Sequence, residues 1–509
     1  MKQYISILFL MALVSFSSCK KSFIEQNDPN AGNLENAFKS ENDVLLFVNG
    51  TYAALRSDRN IGESSGLYTD QRSDDTGTND AQSNSGEPFQ FGNFSILPGN
   101  TYLKSHWVSL YDAITRCNVV TTNIDKVTFA NNNTKINYLA EVKFIRALMY
   151  FQLVRKWGAV PLVTKQLTLA EVPENTYRQP EAAVYAQIVT DLKDALTSTL
   201  PNLQTGTTNA GRVSMAAING LLGQVYLTMA STLNDQRTEN LTNANTYLTA
   251  AYAMRTFTNL STLAYADVFN VDKKKDNLEA IFEIVNVRGD INYRSTIASD
   301  NQAYGESINS LKAPTSVGGN VTPDLIKDYE TGDLRKDFSV KYASDSKVLD
   351  YFITKYRDRD PATTTSGYGG NNTPIMRFAD IILMLAEVNM QQGNDAVAIQ
   401  YLDMVRARAG LPLYAVARTD ATYNTKYPTL KLAILHERRV ELAFEHQRWF
   451  DLLRFFTTSE LVAYFQAKSQ ADFGNAKLSN FTTKDRYFPI PLDEVKLDPV
   501  KMYQNPGYN

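Results

Sequence analysis

Apolar positions recur at three- and four-residue steps from Glu41 to Leu55, where Val44, Leu45, Val48, Tyr52 and Leu55 fall on one helical face. The same period predicts helices at about 105–126, 135–156, 180–199, 212–231 and 241–255, and again at 375–392, 395–409 and 429–456. It fails in two places. From Arg56 to about Lys104 the chain is rich in Ser, Gly, Asp and Asn, and a loop of that length in a compact protein is usually functional or disordered. Between about 256 and 374 short alternating runs replace the helical period. The clearest, Glu279-Ala280-Ile281-Phe282-Glu283-Ile284-Val285, predicts a strand among Gly/Asn loops. A Pro-punctuated tail closes the chain.

Several helices form pairs with a common register. Leu385-Ala386 in one helix is followed by Ala398 and Leu402 in the next, and small residues there let two antiparallel helices approach closely, as in tetratricopeptide repeats. Leu222-Gly223-Gln224-Val225-Tyr226 with Ala244, Leu248 and Ala251 repeats the pattern across a longer connection. Phe144, Ala147, Leu148 and Tyr150 with Tyr185, Ile188 and Leu192 make a third, looser unit. The expected fold is mostly α: a tetratricopeptide-like helical repeat superhelix with long irregular loops and a small amount of β in an insertion at about 256–374. The helix pairs lie in about 105–255 and 375–409. Such scaffolds bind along exposed surfaces and seldom carry catalysis.

Composition adds little: 43% hydrophobic and 21% charged residues are globular values, and a net charge of −3 gives no pull toward nucleic acid. The N-terminus adds more. Lys2 precedes an apolar run from Ile5 to Phe16 that ends in Phe16-Ser17-Ser18-Cys19. The run is shorter than the ~20 residues a membrane span needs, and small residues before a cysteine resemble a lipobox, although Phe16 stands where Leu or Val is usual. Residues 1–18 are therefore read as a lipoprotein signal peptide, 19–40 as a tether acylated at Cys19, and 41–509 as a single domain. A plain secretory signal is the alternative. Cys117 shares a face with Leu110 and Ile114 and is read as a small buried hydrophobe.

Catalytic patterns are poorly supported. Gly62-Glu63-Ser64-Ser65-Gly66 matches a nucleophile elbow, but it follows a helix instead of a strand. His436-Glu437 opens like a zinc-protease helix, yet Val440 stands where the second His belongs. Asp74-Asp75-Thr76-Gly77-Thr78-Asn79-Asp80 is oxygen-rich enough for a structural calcium but lacks the EF-hand spacing. A solvated acidic loop is the preferred reading, and no cofactor is expected.

Five blocks have a recognisable order: Glu141 to Phe151 running on to Trp157-Gly158-Ala159-Val160-Pro161-Leu162-Val163; Gly211-Arg212-Val213-Ser214; Pro374 to Asp380; Glu437 to Glu445 with Arg448 to Arg454; and Phe488-Pro489-Ile490-Pro491 with Gln504-Asn505-Pro506-Gly507-Tyr508. Along nearly the whole chain they resemble the SusD/RagB family of outer-membrane nutrient-binding lipoproteins. Arg438, Arg439, Glu441 and Glu445 are spaced for helix-surface pairs, so the fourth block reads as a structural signature. Trp107, Trp157 and Trp449 lie in or beside framework blocks and read as core.

The resemblance implies a non-catalytic, lipid-anchored protein facing the cell surface, acting as a lid over a SusC-like TonB-dependent transporter. The implied ligand is an oligosaccharide or, in the RagB branch, a peptide. Sugar capture needs aromatic faces plus Asp, Asn and Arg on loops. The 63–104 stretch offers Tyr68, Asp70, Arg72, Asp74, Asp75, Phe89, Phe91 and Tyr102; the 290–372 stretch offers Tyr293, Asn301, Tyr304, Tyr368 and Asn371, with Arg377 just beyond. A surface glycosidase is the rival enzyme class, and a cytosolic tetratricopeptide adaptor would require the signal peptide to be inactive.

Overall fold

The computed structural model describes residues 37–57, 59–76, 86–204, 209–301, 321–343, 350–469, 472 and 478–508. The signal peptide, Cys19 and Tyr304 lie outside them. Eleven described helices have eight residues or more: α1 (Glu41–Leu55), α2 (Thr101–Asn123), α3 (Asn132–Trp157), α4 (Glu181–Ala195), α5 (Met215–Thr232), α6 (Arg237–Ala253), α7 (Phe378–Gln391), α8 (Asp395–Arg408), α9 (Leu430–Glu441), α10 (Arg448–Phe455) and α11 (Thr458–Gln466). From α1 to α8 each helix packs against the next, including α6 against α7 across the long insertion. That serial stacking is the helical-repeat architecture the periodicity predicts, and no described helix is long and apolar enough to cross a membrane.

Local chemistry sets the helix ends. Ser40 and Asp43 form a reciprocal capping box at the start of α1, Ser214 caps α5 through the Ala217 N–H, and Gly158 stops α3 with a positive φ of 73°. Close approach of α5 and α6 depends on Gly223, where an added Cβ would lie 2.6 Å from Leu248 Cγ. Leu385, Ala386, Ala398 and Leu402 are all buried between α7 and α8. Cys117 is buried and free, and burial raises its thiol to about 12.

Six short strands make three antiparallel ribbons: β1 (Val160–Pro161) with β2 (Arg178–Gln179), β3 (Ala280–Ile284) with β6 (Thr373–Arg377), and β4 (Val340–Ala343) with β5 (Asp350–Ile353). Pairing of Ala280 with Arg377 carries the chain from the insertion directly into α7, so the helix expected from 375 begins at Phe378. The insertion has its own apolar cluster, including Tyr265, Phe269, Leu325 and Tyr356, seated on Val440, Ala443 and Phe444.

The helix expected over 429–456 is broken. Phe444 and His446 take positive φ values of 65° and 64° between α9 and α10. The reason lies in the insertion: Arg377 donates to the Glu441 carbonyl (2.8 Å), Lys355 to that of Ala443 (2.9 Å) and Tyr356 to that of Phe444 (3.0 Å). These buried donors satisfy carbonyls at the helix end that have no intrahelical partner. The stretch from 59 to 76 is likewise folded, with 3₁₀ turns at Glu63–Tyr68 and Asp70–Arg72.

Candidate functional site

The structure divides the candidate residues into a buried and an exposed set. Arg377, at the end of β6, is 1% exposed and binds Glu279 (2.6 Å), Glu441 (2.6 Å) and Glu445 (2.7 Å). Arg439 reaches Asp75 (2.7 Å), Asp324 (2.8 Å) and Asp328 (3.0 Å), while Arg448 and the Tyr464 hydroxyl hold Asp74 (2.8 and 2.6 Å). Desolvated charges are tolerable only when paired in this way. Burial raises the Asp74 carboxyl, but Arg439, Arg448 and Lys468 outweigh it and hold it well below the usual carboxylate range. Burial pushes neighbouring Asp75 up to about 6, with the Asp74 charge adding to the rise.

Several expectations are thereby corrected. Asp74 and Asp75 are fully buried and ion-paired, not a solvated acidic loop. Their partners are the protein's own guanidinium and ammonium groups, so these two carboxylates do not fit calcium. Arg377 faces this network and not a ligand. Arg438, Arg439, Glu441 and Glu445 pair across elements, not along a helix surface. Arg72 is buried over the rings of Phe94, Trp449 and Phe488 at 5.2, 4.7 and 4.6 Å. Tyr68 stacks on His106 at 3.8 Å, Phe91 packs edge-on to Tyr68 and Phe488, and Asp70 pairs with His446 at 2.8 Å. Asn371 is 2% exposed. All these groups face inward because the polar stretch carrying most of them folds against α9 and α10.

Glu330, His436 and Glu437 lie close enough together to hold a metal. Arg406, however, already binds Glu330 (2.7 Å) and Glu437 (3.1 Å), and Arg335 binds Glu437 (2.7 Å). The position is filled by protein cations.

What remains accessible is a platform at the end of α1. Tyr293 is 51% exposed on a loop where Asp290 Oδ1 accepts the N–H groups of Asn292 (2.7 Å) and Tyr293 (3.1 Å). That loop is fastened to the 366–372 segment by Ser295 and Gly369, which exchange N–H···O bonds of 2.8 Å, and by Gly289 donating to the Tyr368 carbonyl (2.8 Å). Arg294 lies over the half-buried Tyr368 ring (4.9 Å), Arg56 over Tyr293 (5.0 Å) and Arg59 over Tyr102 (4.3 Å). Arg56 is fixed by the Val285 carbonyl and by Asn286 Oδ1 (2.7 Å). Phe89 and Asn301 are also half-buried, but Asn301 spends its amide on the Ile297 carbonyl.

Arg56 and Arg59 thus tie aromatic residues from both predicted loop regions to one helix end. The same two regions meet again at the Thr76–Val321 bridge, where Thr322 donates to the Asp75 carbonyl (2.9 Å). Sequence reasoning missed Arg56, Arg59 and Arg294. The available signal was two arginines on the turn leaving a predicted helix and a third beside an already named tyrosine. An exposed aromatic ring such as that of Tyr293 can stack on the C–H face of a sugar ring beside polar groups that bind its hydroxyls.

Residues 230–508 match the SusD family, and residues 23–227 match a family described as starch-binding associating with outer membrane. The chain belongs to the SusD family. SusD-like protein P2 of Formosa agariphila is 25% identical over the full length of both chains. A laminarin-binding SusD-like protein of known structure is 25% identical, with a TM-score of 0.73 over 92% of this chain and 100% of its own. The fold is also that of surface glycan-binding protein A from Bacteroides thetaiotaomicron in complex with laminarihexaose, at 21% identity and a TM-score of 0.73 over 92% of this chain and 99% of that one. Within the SusD-family framework blocks, Trp157 donates its indole N–H to the Pro489 carbonyl (3.0 Å), and Asn505 donates to the Trp157 and Phe488 carbonyls (3.0 and 2.7 Å). These blocks hold the tail to α3.

Proposed function

We propose that this protein captures glycan at the cell surface and passes it, unmodified, to a SusC-like TonB-dependent transporter. The observation that carries the reading is the exposed Tyr293 ring beside Arg56, on a loop fastened to the segment where Arg294 lies over Tyr368, on a SusD-family scaffold. The laminarin-binding relative supports a glycan as the ligand class. The protein is held at the outer membrane by acyl chains on Cys19, which predicts that palmitate labelling is lost in Cys19→Ala.

The test is retention of the full chain on a panel of polysaccharides including laminarin, with reducing-sugar release followed in the same samples. Retention without product is expected. Tyr293→Ala is expected to weaken binding about tenfold or more, as loss of an aromatic anchor does, with an unchanged unfolding midpoint. Released product would overturn the non-catalytic part. A panel with no retained glycan, alongside a bound peptide, would move the ligand class to peptides.

A further inference from the structure

An open cleft of about 660 Å³ lies between the C-terminal ends of α5, α7 and α10 and the N-terminal ends of α9 and α11, and none of its lining residues belongs to the platform. Arg237, Lys431, Arg454 and Arg486 line it against two acids, Glu181 and Glu460. Both acids are engaged: the Tyr487 hydroxyl donates to Glu181 (2.9 Å), and Glu460 accepts the Thr457 N–H (2.8 Å) in the capping box of α11. Lys431 and Arg486 rest on the rings of Phe456 and Tyr487 (5.4 and 5.5 Å), and their charges also act on Glu460 and Glu181 across the cleft.

A narrower groove shares Ser231, Thr232, Arg454, Arg486 and Tyr487 with the cleft and runs inward to Arg155. Arg155 is 7% exposed and clamped between the rings of Phe151 (3.8 Å) and Phe450 (3.6 Å). Its Nε donates to the Phe151 carbonyl (3.2 Å), and its Nη1 has no partner among the described residues. Arg454, also 7% exposed, commits Nε and Nη2 to Glu387 (2.9 and 2.7 Å) and Nη2 to Asp451 (2.8 Å), which leaves Nη1 unbonded. Both residues line the same groove, and each keeps one buried guanidinium nitrogen without a partner among the described residues. Burial, with the Arg454 charge adding to it, lowers Arg155 to about 9; an anion in the cleft beside Arg454 would ease the repulsion between the two groups.

We propose that the cleft forms a second binding site, for a carboxylate or sulfate ester carried on a sugar ring. A guanidinium matches the planar, two-oxygen edge of either anion. Tyr487 and Phe456 supply apolar faces for the ring, while Ser231, Thr232 and Thr458 supply hydroxyls. The size of the cleft suits a small ligand, while the inner groove, at about 20 Å³, has room only for a water-sized group. The sugar as carrier rests on the glycan-capture reading; the anion site does not.

Calorimetric titration of the full chain with inorganic sulfate, glucuronate and glucose tests it. Sulfate and glucuronate should bind, glucuronate more tightly, and glucose should give no heat at this site. Arg486→Ala should weaken both anions by about tenfold or more, the effect of losing a charged hydrogen bond, and Tyr293→Ala should change neither. A folded chain that takes up neither anion overturns the proposal, as does unchanged binding in both Arg486→Ala and Lys431→Ala. Sulfate binding as tight as glucuronate removes the sugar from it. Loss of glucuronate in Tyr293→Ala would assign that ligand to the platform instead. Failure of the glycan panel with anion binding retained would sink the capture reading alone.

Discussion

Gly223 and Glu283 show how much a single position can depend on its surroundings. At Gly223 a methyl group would meet Leu248 Cγ at 2.6 Å and the Leu248 backbone nitrogen at 3.0 Å, and backbone cannot move aside as a flexible side chain does. Gly223→Ala is expected to cost about 1–3 kcal/mol through overpacking, read as a lower urea midpoint. Glu283 lies on β3, and burial pushes its carboxyl up to about 7, with Asn372 donating a hydrogen bond that opposes the rise. Because the folded form holds its proton above the ordinary value of 4.5, stability is greatest below that value and falls as pH rises through 7. Glu283→Gln should abolish this slope and make the protein more stable than wild type at pH 8 by on the order of 1–2 kcal/mol, seen in unfolding midpoints across pH.

At the scale of elements, the informative place is the junction of α9 and α10. Nothing in the apolar period from Leu430 to Phe455 interrupts a helix; Glu441 to Gln447 includes no Pro or Gly. The break comes from donors on the insertion that occupy the carbonyls of Glu441, Ala443 and Phe444. Tyr356→Phe removes the donor to Phe444 and leaves that carbonyl buried. A loss of about 1–2 kcal/mol is expected by chemical denaturation. The two arginine–ring contacts depend on such placement too, since Arg56 and Arg59 reach Tyr293 and Tyr102 only because α1 ends beside both loops.

At the scale of the whole molecule, the buried charges tie distant parts of the chain together. Arg377 joins β6 to Glu279 ahead of β3 and to Glu441 and Glu445 at the α9–α10 junction. Arg377→Met would leave those carboxylates under-compensated and is expected to cost about 3–5 kcal/mol or to prevent folding, measured by thermal unfolding and soluble yield. Asp74 acts in the same network with the opposite pH sign to Glu283. Its carboxyl lies well below the ordinary value of 3.8, so its contribution is present above that pH and is lost as pH falls further.

The serial helices, the strand at Ala280–Ile284, the small-residue contacts of the helix pairs and the family resemblance are all legible in the chain, because each is written in short-range periodicity or in ordered blocks. It also named Tyr293, Tyr368 and Tyr102 among its candidate aromatics, together with Tyr68 and Phe91, which are buried. That Arg72, Asp74, Asp75 and Arg377 turn inward while Arg56, Arg59 and Arg294 lie over tyrosine rings emerges only once the chain is folded together. Residue type sets what a charged side chain can bind, but its partners here lie tens to hundreds of residues away. Burial is a property of that three-dimensional neighbourhood and leaves no local mark in the chain.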